Sequence, residues 1–151
     1  GQTNSETGYG FNYTGVEGLS LSYANADEES GTTATSGDVT VYKASYAYGP
    51  VTAKYSNSEM DIAAAANAAG GESTSYALSY TVSDEISVTY GSETHSIDST
   101  SVDMEIEGFS ASYTSGGMTI SAAMQSMDEG NFAAGANNDI DYWALGASFA
   151  F

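Results

Sequence analysis

Apolar and polar residues alternate along most of this chain. In residues 85–90, EISVTY, Ile86, Val88 and Tyr90 share one parity while Ser87 and Thr89 take the other. Successive side chains of an extended strand project to opposite faces, so this spacing predicts a strand with one bulky apolar face and one hydroxylic face. Nearly the same six letters recur as GLSLSY from Gly18, PVTAKY from Pro50 and GMTISA from Gly117. Their starts lie about 32 to 35 residues apart, a spacing that marks a repeated supersecondary unit.

Counting alternation predicts nine strands, over 8–14, 19–27, 38–48, 51–58, 74–82, 86–95, 102–114, 118–127 and 139–151. Helical periodicity is absent. The Ala-rich stretch DIAAAANAAGG from Asp61 could form a short helix, but Gly70 and Gly71 favour a loop. Gly108 predicts a bulge, because apolar parity moves from Met104 and Ile106 to Phe109 and Ala111 across it. Connections alternate between tight turns (15–18, 49–50, 83–85, 115–117) and longer links (27–37, 58–73, 95–101, 128–138). In an up-and-down meander alternate connections share an end, so the short turns gather at one end and the long links at the other. Residues 1–151 read as one unit without separate domains.

The two faces differ in kind. Bulk falls on one parity, and its aromatic members sort by height. Tyr13, Tyr48, Tyr80, Tyr113 and Phe149 sit near the short-turn ends, and Tyr23, Tyr55 and Tyr90 sit higher on the returning strands. With Trp143 and Phe151, these predict aromatic belts at membrane interfaces, where a ring wants hydrocarbon and its OH or NH wants water. The opposite parity carries Ser45, Thr52, Ser79, Thr89 and Ser121, with Lys43 and Lys54. A face open to bulk solvent would carry many long charged side chains; this one suits the wall of a confined water-filled space.

Charge sharpens the picture. The chain has 20 Asp and Glu against 2 Lys and Arg, a formal net charge of -18, which repels nucleic acid. Of the carboxylates only Glu17, Asp84 and Glu85 belong to short turns. The rest gather toward the long links, among them Asp27, Glu28, Glu29, Asp103, Glu105, Glu107, Asp128 and Glu129. These predict an acidic rim that attracts cations, with Ca²⁺ or Mg²⁺ as candidate loop ligands, although no EF-hand spacing is present. Without cysteine there is no disulfide or thiolate site. No run of 18 apolar residues predicts a transmembrane helix, and GQTNSETGYG lacks the features of a signal peptide. His95, the sole histidine, has Ser96 and Asp98 nearby, but no nucleophile motif accompanies them. They read as polar residues at a strand end, and no enzyme activity is expected.

The closing strand DYWALGASFAF places Trp143, Leu145, Ala147, Phe149 and Phe151 on one parity. With the rhythm of short turns and long loops, it resembles the C-terminal half of a Gram-negative general outer-membrane porin, particularly the acidic porins of alphaproteobacteria. The resemblance implies an antiparallel up-and-down transmembrane β-barrel of sixteen strands, usually trimeric, passing small hydrophilic solutes and ions by diffusion. It further implies outer-membrane lipid and lipopolysaccharide as surroundings, and recognition of the C-terminal strand by the barrel assembly machinery. Long loops would be extracellular, and short turns and the C-terminus periplasmic. Nine strands then suit a stretch lacking about seven, since single-chain bacterial barrels have even strand numbers. Such porins often carry an arginine row on the inner wall. Here there is no Arg, and Lys43 and Lys54 are the only candidates, either bending the field across the pore or simply solvated. The main alternative is an extracellular structural or adhesin β-protein with no transport role; a lipocalin-like ligand barrel fits poorly with a hydroxylic interior.

Overall fold

The computed structural model describes residues 5–29, 37–62, 70–135 and 138–150. They form nine antiparallel strands: β1 (Ser5–Tyr13), β2 (Leu19–Glu29), β3 (Gly37–Tyr48), β4 (Val51–Ile62), β5 (Gly71–Thr81), β6 (Ile86–Ile97), β7 (Met104–Ser115), β8 (Met118–Asp128) and β9 (Ile140–Phe149). The order in the sheet is the order in the chain, with β1 and β9 at the two edges. Every strand is therefore paired with its sequence neighbours, the up-and-down arrangement that the alternating connection lengths predict. No helix among the described residues is long and apolar enough to cross a membrane.

At the short-turn end the strands fall close to expectation; toward the long links β1 to β6 and β8 run further than expected, whereas β7 starts at Met104 rather than 102 and β9 at Ile140 rather than 139. β4 continues to Ile62 and β6 to Ile97, and β1 starts at Ser5. In these extensions the outward residues become polar, so counting bulk on a single parity stops too early. The backbone ladder is indifferent to which face is apolar, and it continues. The Ala-rich residues 63–69 lie outside the described residues.

The expected bulge at Gly108 is absent. Tyr90 faces Phe109, Gly91 faces Gly108 and Ser92 faces Glu107, and on the other side Gly108 faces Gln125, with no extra residue on either strand. The parity shift has a different cause. The chain keeps its register and exchanges polarity between faces, so that Met104 and Ile106 point with Ser110 and Ser112, while Glu105 and Glu107 point with Phe109 and Tyr113.

Among the described residues no hydrophobic side chain is buried. A water-soluble sheet of this size would need a second layer over its apolar face. Tyr48 and Trp143 are each 76% exposed and Leu145 71%, so nothing in the described chain covers that face. What order it has comes from rings packing across strands: Tyr23 lies 5.1 Å from Tyr42, 5.7 Å from Phe11 and 6.0 Å from Tyr9, and Tyr55 lies 5.1 Å from Tyr76.

Candidate functional site

The register assigns every described strand residue to a face. Tyr13 pairs with Leu21, Tyr48 with Val51, Val51 with Tyr80, Ile86 with Tyr113, and Met118 with Phe149. These pairs form an apolar row near the short turns. Leu78, Tyr90, Phe109, Met124 and Trp143 are linked across β5 to β9 in the same way and form a row higher on that face. Each predicted girdle residue from Tyr13 to Phe149 is on this face, and Phe151 lies outside the described residues.

Above these rows the same face turns acidic and hydroxylic. Asp27 pairs with Asp38, which pairs with Asp61; Glu59 pairs with Glu72, and Glu105 with Asp128. Like charges directly opposite one another destabilise a sheet unless water solvates them. Asn57, 8% exposed, donates to the Glu72 carboxylate and, at 2.9 Å, to Thr74 Oγ1. Asn25 donates to Thr40 Oγ1 at 3.0 Å. This zone is built for water, and its boundary with the apolar rows is sharp.

The expected acidic rim is thus largely a band on the strands. Asp27, Glu105, Glu107 and Asp128 occupy outward strand positions, Glu28 and Glu29 end β2, Asp103 precedes β7 and Glu129 follows β8. Among the described residues no three carboxylate or imidazole side chains converge in an arrangement that could hold a metal ion.

The inner face is hydroxylic through its lower and middle height. Ser79 and Thr89 hydroxyls lie 2.9 Å apart, Ser87 and Ser112 2.8 Å, Thr114 and Thr119 2.9 Å, and Ser56 and Ser75 3.3 Å. Each predicted wall residue falls here: Ser45 opposes Lys54, Lys43 opposes Ser22 and Ser56, Thr52 opposes Ser79, and Ser121 opposes Ser112 and Gly146. Such cross-strand ladders satisfy hydroxyls with one another and leave lone pairs for water.

Two inner-face features were not predicted. Toward the long links the wall becomes apolar, with Val41, Met60, Ile106 and Met127 on the inner parity; counting parity back from Phe109 through EIEGF gives this result. The second feature is a contact in which His95 Nε2 lies 2.9 Å from a Glu93 oxygen that also accepts from Ser73 at 3.3 Å. His95 opposes Ser73 on the inner face, whereas Ser96 opposes Glu72 on the outer one. The sheet therefore puts His95 and Ser96 on opposite faces.

No family model matches the chain, and no curated protein sequence matches it. Among solved structures it is similar to one described as a porin, with a TM-score of 0.73, 20% identity, and coverage of 97% of this chain and 51% of that chain. The likeness is one of fold, and this chain spans about half the length of that structure. The fold is all-β, an antiparallel up-and-down sheet of the porin β-barrel type.

Proposed function

We propose that this chain forms part of a passive diffusion channel, a porin, for small hydrophilic solutes and ions across a Gram-negative outer membrane. One observation carries the reading: a single unbroken register puts uncovered apolar rows on one face and paired hydroxyls on the other, in a sheet whose fold is that of a porin. Hydrocarbon is the medium that makes the first face favourable, and a water column suits the second. The sheet acts by holding a polar wall where lipid would otherwise be, so no chemical step is required of it.

Nine strands leave β1 and β9 running in the same direction. An antiparallel sheet closed around them takes an odd number of further strands, and about seven would complete the sixteen of a general porin. In lipid an open edge leaves backbone groups unpaired at a cost of several kcal/mol each, which makes closure obligatory. The channel reading carries with it a homotrimeric assembly, lipopolysaccharide as neighbour of the outward acidic band, and a C-terminal strand read by the barrel assembly machinery. It also carries extracellular long links and periplasmic short turns. The net charge of -18 favours cation entry.

Planar-bilayer recording on the full-length polypeptide tests this reading. Stable stepwise conductance with a reversal potential displaced toward the cation is expected. Absence of conductance from protein correctly folded in detergent contradicts it.

A further inference from the structure

We propose that Lys43 and Lys54 form a binding site for a phosphate-type oxyanion on the inner wall. The inference rests on the channel reading only for which face is wet.

The chain carries two basic side chains among twenty carboxylates, so lysines placed without regard to charge would meet acids. The register keeps them away from acids. Cross-strand neighbours of Lys43 on its face are Ser22 and Ser56, and those of Lys54 are Ser45 and Ala77. One step along each strand on the same face brings Val41 and Ser45, or Thr52 and Ser56. Among the described residues neither lysine is in an ion pair.

Lys54 opposes Ser45, and Lys43 is two positions from Ser45 on the same strand, which makes the lysines diagonal neighbours, roughly 7–8 Å apart at their bases. Two flexible four-carbon stems from that separation can bring both ammonium groups onto one small anion. They share a concavity of about 430 Å³ also lined by Ser22, Ser45, Ser56 and Ser75. Both lysines are exposed, so the site is open from the wet side.

The donor set selects the ligand class. Two compact point charges and several rotatable hydroxyls impose no common plane, which suits a tetrahedral oxyanion with acceptors in all directions, and lysine ammonium groups bind phosphate as point charges. The net negative charge does not prevent binding. Among the described residues the nearest acid on their own face, Glu93, stands two strands over and one side-chain step along from Lys54, roughly 12 Å away and beyond the screening length of about 8 Å at physiological salt, and its carboxylate is engaged by His95 and Ser73.

The test uses the full-length polypeptide in planar bilayers, with current carried by potassium chloride and with inorganic phosphate or glycerol phosphate added at constant ionic strength. Saturable reduction of the current is expected, with half-effect on the order of 1 mM. The Lys43→Gln, Lys54→Gln double variant should raise that concentration at least about tenfold, and Lys54→Arg should hold it within about threefold. Equal action of both compounds assigns the site to the phosphate group in any small ester, and action of inorganic phosphate alone assigns it to the free ion. Current that responds to phosphate no differently from chloride, or a response that survives in the double variant, overturns the proposal and leaves the channel reading intact. Should no current form, the channel reading falls. The site is then judged on detergent-solubilised protein by phosphate-induced shifts of the lysine side-chain resonances: movement of both supports it, and no movement overturns it.

Discussion

Phe109 and Glu107 stand on the same face of β7 one side-chain step apart, Phe109 facing Met124 and Glu107 facing Ser126. Between them the outward surface passes from ring to polar side chain, and this step is repeated from strand to strand: Tyr23 to Asn25, Tyr55 to Asn57, Tyr76 to Thr74, Trp143 to Asp141. On the channel reading this boundary marks how far hydrocarbon reaches up the sheet, and it yields the first prediction. Leu78→Arg, placed among the apolar rows, should lower unfolding free energy in lipid vesicles by about 2–4 kcal/mol, while Thr74→Arg, two outward steps above on the same strand, should cost about 1 kcal/mol or less. Ser79→Arg, adjacent to Leu78 but on the inner face, should also fall within about 1 kcal/mol. Equilibrium urea unfolding in vesicles measures all three.

Aromatic packing gives a second contrast. Tyr23 sits against Tyr9, Phe11 and Tyr42, whereas Tyr48 is 76% exposed and stacks on no ring among the described residues. Each aromatic pair contributes roughly 0.5–1.5 kcal/mol beyond its area. With three such pairs, Tyr23→Ala should destabilise the folded barrel by about 1.5–4.5 kcal/mol more than Tyr48→Ala, read by the same unfolding assay. Equal losses would mean that the cross-strand rings act only as lipid anchors.

The short turns make a third. Gly18 has φ of +76° and a Cβ there would meet the Ala47 carbonyl oxygen at 2.1 Å; Gly49 has φ of +54° with nothing within 4 Å of such a Cβ. Gly49→Ala carries only the left-handed conformational cost, about 1–2 kcal/mol. Gly18→Ala adds a backbone collision, so its folding yield should be distinctly lower than that of Gly49→Ala under identical refolding.

The acidic end predicts a salt dependence. If cation preference comes from the outward acidic band at the long-link end, with no dedicated cation site, it acts through a screened field. The screening length shrinks from about 30 Å at 0.01 M to about 3 Å at 1 M salt. Reversal potentials at a fixed salt ratio should accordingly show preference fading as both concentrations rise. Asp27→Asn together with Glu105→Gln and Glu107→Gln should weaken the preference most at low salt.

Much of this was legible in the sequence because a strand's side-chain period is an integer. Once EISVTY and its repeats set the phase, the faces of Lys43, Lys54, Ser79 and Thr89 followed, and alternating turn lengths gave the strand order. The exchange of polarity above the aromatic rows was not legible to a method that equates bulk with a single face. Met104 and Ile106 are apolar on the inner parity, and a parity count reads that as a slip at Gly108, whereas the hydrogen-bond ladder shows continuity. The pairing of His95 with Glu93 was also missed, because Ser96 and Asp98 are close in sequence but only residues two apart on a strand share a face.

A channel wall requires lipid against one parity of β7 and water against the other. Single cysteines at 109, 110, 111 and 112, spin-labelled in the folded protein in vesicles, report contact with membrane-dissolved oxygen or with a water-soluble nickel complex. Oxygen access is expected at 109 and 111, nickel access at 110 and 112, and a period of two throughout. High nickel access at all four positions, or protection of 109 and 111 from both reagents by a second protein layer, would contradict the channel reading.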